Sequence, residues 1–161
     1  MWKVASALLF TSSMMKTDYL VRDCMTAAPE TVRPGIPIAE AHRMMRARGV
    51  RHLPVLEGGK LVGLVSQRDL YLIESLKGVD PEEVPVEEAM SPNVWAIGPR
   101  TPVAKAAQYM ADTKDGCAIV AEGGRVLGIF TTTDAMRLLA QLLAPKVRRV
   151  RPRAAAARSR R

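Results

Sequence analysis

Shifted by 65 residues, the sequence lies on itself without a gap from Val21 to Asp134. VRDCM (21–25) falls on VEEAM (86–90), Pro34 and Pro37 fall on Pro99 and Pro102, and IAEA (38–41) falls on VAKA (103–106). The longest shared run pairs VLEGGKLVGLVSQRD (55–69) with VAEGGRVLGIFTTTD (120–134). Such a match keeps Gly, Pro and Asp in order. These residues set backbone geometry, so a chance likeness of composition does not reproduce their sequence. The chain must therefore fold as a duplicated unit. Its 161 residues suffice for one compact domain or for two small halves that share a core.

Each copy predicts the same elements. An extended, proline-punctuated lead-in (Thr26 to Pro34; Ser91 to Pro99) is followed by a helix with Pro37 or Pro102 in its first turn, where a missing N–H is tolerated. Ile38, Ala41 and Met45 recur at helical spacing and form its inner face; Val103, Ala106 and Met110 repeat them. Met44, Met45, Met110 and Met136 read as core filler, and Arg43, Arg46 and Arg48 as a solvated face. Strands HLPVL (52–56) and KLVGLV (60–65) join through Gly58-Gly59, and CAIVA (117–121) and RVLGIF (125–130) through Gly123-Gly124. Paired glycines between apolar runs mark tight hairpins, because both residues accept positive φ. Helices from Gln67 to Lys77 and from Thr132 to about Leu143 close the copies. The class is α+β, with two β-α-β-β-α repeats packed about a pseudo-twofold through their sheets. The divisions are an N-terminal extension (1–17), repeat one (18–78), an acidic linker (79–85), repeat two (86–144) and a basic, disordered tail (145–161).

Bulk properties exclude several classes. From Lys146 to Arg161 the chain carries eight basic and no acidic residues, which accounts for the whole formal charge of +8. The body is close to neutral and is no polyanion binder; nucleic acid is a partner only through the tail 146–161. Cys24 and Cys117 are far apart, and the only histidines are His42 and His52, so neither a disulfide framework nor a metal centre is expected. No apolar run reaches the ~20 residues of a membrane span, and the expected location is the cytoplasm. The short apolar run Val4 to Phe10 reads either as a minimal signal sequence or as an over-extended start preceding Met14 or Met15; the second is preferred, because no small-residue cleavage site follows.

One motif recurs where a strand gives way to a helix: Gly63–Ser66–Asp69 and Gly128–Thr131–Asp134. Helix N-termini present free N–H groups suited to phosphate, and a Ser or Thr hydroxyl there adds a contact. The carboxylate is placed to accept both hydroxyls of a ribose, and the glycine would let a flat ring approach the strand. The same spacing is a capping box, in which Ser66 or Thr131 only starts a helix. The residues alone leave both readings open.

With MTAAPETVRPGIPIAEA, GVRHLPVLEGGKLVGLVSQRDL and their second-copy partners, the stretch from Val21 to about Leu143 resembles a tandem pair of CBS domains, named after cystathionine β-synthase. That resemblance implies clefts for AMP, ADP, ATP or S-adenosylmethionine, and pairs that dimerise. Carried over, repeat one offers Asp69 for the ribose, Ser66 and Arg68 for phosphate, Arg51 and His52 as basic phosphate ligands, and Glu30 in the segment lining the adenine. Repeat two offers Asp134, Thr131 and Thr133, with Trp95 near the base, but Gly116 and Cys117 stand where repeat one has its basic pair. The expected function is a non-enzymatic sensor, a homodimer with no prosthetic group and no catalytic residue, acting on a partner protein. The alternative is a nucleic-acid accessory protein working through its tail.

Overall fold

The computed structural model describes residues 19–144, so the expectations for the extension 1–17 and the tail 145–161 lie outside the described residues. Repeat one contains α1 (Val21–Cys24), β1 (Thr26–Ala27), α2 (Ile38–Arg48), β2 (His52–Glu57), β3 (Lys60–Ser66) and α3 (Gln67–Glu74). Repeat two contains a 3-10 turn (Val86–Glu88), β4 (Ala96–Ile97), α4 (Val103–Thr113), β5 (Cys117–Glu122), β6 (Arg125–Thr131) and α5 (Thr132–Leu143). The molecule is α+β and the two repeats follow one plan.

The hairpins form as their glycines demand, with φ of 55° and 82° at Gly58 and Gly59 and of 58° and 78° at Gly123 and Gly124. Both hairpins slip register at the same place, between Val55 and Leu56 and between Val120 and Ala121. Pro37 and Pro102 sit at the N-caps of α2 and α4, one position before the expected first turn, with extended ψ of 143° and 134°. Helix α3 ends at Glu74, short of Lys77, where the Ser75 hydroxyl donates to the Leu72 carbonyl and the chain turns through Gly78 at φ 84°. The acidic linker is fastened: the Val84 and Pro81 carbonyls accept from the first two N–H groups of α2, at Ile38 and Ala39.

The sheets are not those of two independent repeats. Strand β1 leaves its own repeat and pairs with β6, giving a four-stranded sheet in the order β1-β6-β5-β4. Its counterpart returns the exchange: Ser91 of repeat two bridges Leu64 on β3, with backbone bonds of 2.9 and 3.0 Å. Val32, the counterpart of Ile97 on β4, meets Val55 in a single parallel bridge. The bridges Leu20–Pro102 and Pro37–Pro85 are likewise related by the 65-residue shift. The repeat therefore shows in three dimensions as a pseudo-twofold axis with reciprocal strand exchange.

Two cores form, both mostly aliphatic. One contains Ile38, Met45, Leu53, Val65 and Leu70 of repeat one; the other gathers Val103, Met110, Val120 and Phe130 of repeat two around Val21 from α1. A third cluster, with Ile119 and Ile129 against Leu61 and Leu64, joins the hairpins across the axis. Met45 and Met110 fill core as expected, whereas Met136 is exposed on α5. His42 occupies a core position of α2: its Nδ1 lies 2.8 Å from Glu74 Oε1 and its ring meets Tyr71 edge-on.

Candidate functional site

The strand exchange decides which residues share a cavity. A concavity of about 360 Å³ is lined by Thr26 and Ala28 to Glu30 of the first lead-in, by Arg48 to His52 where α2 hands over to β2, and by Ile129, Thr131 to Asp134 and Arg137 of repeat two. Arg51, His52 and Glu30 thus face Thr131, Thr133 and Asp134. They do not share this cavity with Ser66, Arg68 and Asp69, the grouping expected from sequence. Those three lie beside the Leu64–Ser91 bridge, in the pseudo-equivalent region; the 65-residue shift relates them to Thr131, Thr133 and Asp134 and assigns Trp95, Gly116 and Cys117 to the same region as counterparts of Glu30, Arg51 and His52. A further hollow of about 430 Å³, at Arg33 to Ile36 and Leu56 to Gly58, contains no motif residue.

Both motifs form complete capping boxes. The Ser66 N–H and hydroxyl donate to Asp69 Oδ2 at 2.9 and 2.6 Å, while the Asp69 N–H returns a bond to Ser66 Oγ at 3.2 Å. At Thr131 and Asp134 the corresponding distances are 2.9, 2.7 and 3.3 Å. Each hydroxyl has spent its single proton on a carboxylate and retains only acceptor capacity. In this arrangement neither Ser66 nor Thr131 donates outward. The second carboxylate oxygen of each aspartate faces a different fate. Asp134 Oδ1 accepts from Arg137 Nη1 at 3.0 Å, whereas Asp69 Oδ1 has no hydrogen-bond partner among the described residues.

The motif glycines serve packing across the axis. A Cβ at Gly128 would run into the Met25 sulfur and come within 2.9 Å of the Thr26 carbonyl; one at Gly63 would run into the Met90 sulfur. The space expected for a flat ring is filled by the methionine of the exchanged segment. Beside it, Ala28 holds φ 46°, a left-handed conformation costing a non-glycine residue about 1–2 kcal/mol. Ala28 lines the cavity, and its N–H donates to the Leu127 carbonyl at 3.0 Å.

Three guanidiniums and two carboxylates surround the cavity. Arg48 pairs with Glu30 at 3.1 Å, so it is no idle member of a solvated face. Arg51 is exposed and makes no ion pair among the described residues. The His52 ring is packed so that a Cβ on Gly116 would lie 3.2 Å from its Nε2. Burial and the adjacent Arg51 push its pKa below the ordinary 6.5, with Asp69 pulling the other way. His52 therefore touches one site and feels the charge of the other. Trp95 stacks on Tyr109 at 3.8 Å and 18° and packs against the core of repeat two. Cys117 is buried, and burial with Asp115 nearby pushes its thiol up to about 12, so it is no thiolate at neutral pH. Sequence reasoning missed Arg48 and Arg137. The cue available was that Asp134 precedes Arg137 by one helical turn, which brings the side chains together.

The motifs and their order also identify relatives. The family model of the CBS domain matches twice, at residues 21–73 and 86–141. The chain is 32% identical over 114 residues to the CBS domain-containing protein YhcV of Bacillus subtilis, covering 71% of this chain and 81% of that one. It is also 32% identical over 118 residues to an inosine-5'-monophosphate dehydrogenase of Korarchaeum cryptofilum, covering 73% of this chain but only 22% of the enzyme's length. Among solved structures, the CBS domain pair of protein MJ0100 in complex with 5'-methylthioadenosine and S-adenosyl-L-methionine superposes with a TM-score of 0.69 at 28% identity, covering 77% of this chain and 98% of that one. CBSX2 in complex with AMP superposes with a TM-score of 0.68 at 25% identity, covering 77% and 98%.

Proposed function

The chain belongs to the CBS domain family, and from that membership we propose that it is a non-catalytic regulatory module that binds an adenine nucleotide and acts on a partner protein. The observation carrying this reading is the single cavity in which Arg48, Arg51 and His52 converge on Asp134 and the N-terminus of α5. Helix N–H groups and guanidiniums suit phosphate, and a carboxylate held by its own cap suits a ribose. The assignment of nucleotide contacts is Glu30, Arg51, His52, Thr131, Thr133 and Asp134 in this cleft. Ser66, Arg68, Asp69, Trp95, Gly116 and Cys117 are their counterparts across the axis. Solved relatives bound to AMP and to S-adenosylmethionine support the ligand class. The excess of guanidinium over carboxylate favours AMP, ADP or ATP over S-adenosylmethionine, whose sulfonium adds positive charge.

Isothermal titration of the four ligands against the chain tests the reading, and no binding by any of them would sink it. Removing residues 146–161 separates the tail-driven alternative: nucleotide binding should persist, while salt-sensitive adhesion to nucleic acid should vanish. No described helix is long and apolar enough to cross a membrane. Tyr71 and Leu72 on α3, Leu76 just past its end, and Met136, Leu139 and Leu143 along α5 stay exposed, and this is the basis for proposing a homodimer. Sedimentation equilibrium at a mass near 17.6 kDa would count against it.

A further inference from the structure

The carboxylate best placed for a ribose is already occupied. Asp134 is 5% exposed, and its Oδ2 accepts from the N–H and hydroxyl of Thr131. Its Oδ1, the remaining acceptor, is held by Arg137. A vicinal diol thus finds both carboxylate oxygens already hydrogen-bonded, and has Oδ1 to itself only if Arg137 moves. Arg137 can move readily: its side chain is 68% exposed, it arises from the same α5 turn, and it lines the cavity with Arg48 and Arg51. Only the carboxylate of the pair is buried; the guanidinium stands in solvent, which can rehydrate it as it leaves. A phosphate entering the cavity offers Arg137 a stronger, doubly charged partner. Across the axis the same position is Leu72, and Asp69 there carries no such plug.

We propose that Arg137 is a specificity-determining plug that releases the Asp134 carboxylate to a ribose only when the same ligand supplies phosphate. This rests on the nucleotide-binding reading above and deepens it. Arg137 transfers from Asp134 Oδ1 to the phosphate, and the vacated oxygen accepts from the diol. Phosphate and ribose recognition become one coupled event, and a bare nucleoside must displace Arg137 with nothing to offer it in return.

The experiment is titration of ADP and of adenosine against the wild type, Arg137→Leu and Arg137→Gln, with Arg100→Leu as a control for net charge. Leucine is the residue the first repeat carries at this position, and Arg137 is exposed, so the fold tolerates the change. Arg137→Leu should bind ADP about tenfold more weakly, having lost one charge-assisted contact. It should bind adenosine several-fold more tightly, because Asp134 is now free. Arg137→Gln should move both affinities in the same directions by less, and Arg100→Leu should move neither. Adenosine binding that is no tighter in Arg137→Leu than in the wild type overturns the plug and leaves a plain phosphate contact. ADP binding unchanged in Arg137→Leu overturns it as well. Wild-type protein that binds neither compound overturns the plug, and overturns the nucleotide reading itself if AMP, ATP and S-adenosylmethionine also fail to bind.

Discussion

Laid over each other by the 65-residue shift, the two repeats agree in backbone and disagree in charge. Hairpin glycines, register slips, capping boxes and exchanged segments coincide. The three guanidiniums of the Asp134 cleft do not: Arg48, Arg51 and Arg137 have Thr113, Gly116 and Leu72 as counterparts. Duplication preserved what the fold needs and left side chains at the cleft free to diverge. The difference between the clefts therefore reports function more directly than their likeness, which capping and packing already explain.

The sharpest test of that asymmetry compares Asp134→Ala with Asp69→Ala. Each removes one capping box and should lower stability by about 1 kcal/mol. Only Asp134→Ala should also weaken ADP binding, by about a hundredfold, since a charge-assisted pair of bonds to a ribose is worth roughly 2–3 kcal/mol. Titration calorimetry beside thermal melts separates the two effects. Loss of binding in Asp69→Ala alone would restore the grouping read from sequence and break the one drawn here.

Next comes a pair of glycine substitutions. Gly128→Ala and Gly63→Ala both force a methionine from the exchanged segment, and overpacking of this kind costs about 1–3 kcal/mol. Gly128→Ala should be the worse, because the Thr26 carbonyl lies within 2.9 Å and backbone yields less than a thioether; at Gly63 the nearest backbone atom is 3.2 Å away. Urea midpoints in the reverse order would refute the packing role. A smaller effect should follow at the helix ends. Gly49 closes α2 at φ 63°, but Lys114 closes α4 at φ 62°, where a side chain is strained. Lys114→Gly should stabilise the chain by about 1 kcal/mol, measured as a higher melting temperature.

The mildest effect is on pH dependence. The folded protein holds the pKa of His52 below 6.5, so it binds fewer protons than the unfolded chain in that region. This contribution to stability is present above about pH 6.5 and is lost as pH falls through the window below it. A bound phosphate favours the imidazolium, so ADP affinity should rise several-fold between about pH 8 and pH 6. His52→Gln should flatten both trends; parallel curves for the variant and the wild type would remove His52 from the site.

The elements were legible in the sequence because their signals are local. Paired glycines specify hairpins, Ile38–Ala41–Met45 specifies a buried helical face, and Ser66 with Asp69 announces a cap. The composition of the cleft was not legible, because it depends on a crossing. Nothing in Thr26-Ala27 states that these residues will pair with Ile129 and Gly128, a hundred positions away. Without that crossing, Arg51 is naturally assigned to the aspartate nearest in sequence. Arg48 reads as a surface cation for the same reason, and Arg137 draws no reading, since helical periodicity places both outside the core and says nothing of what stands opposite. Gly63 and Gly128 were marked as special by their recurrence, but the methionines that require them come from the other repeat.

The reciprocal exchange of lead-in segments also bears on how such a chain could arise and be taken apart. Each half lends the other a short edge, and the two loans are related by a twofold axis. That is the geometry of two identical subunits clasping one another. The linker 79–85 then works as a tether that raises the effective concentration of a partner already complementary. Cut within that tether, the two halves would each be left with a missing edge and an open groove over Gly63 or Gly128. Mixed, they have every contact needed to rebuild the molecule from two pieces.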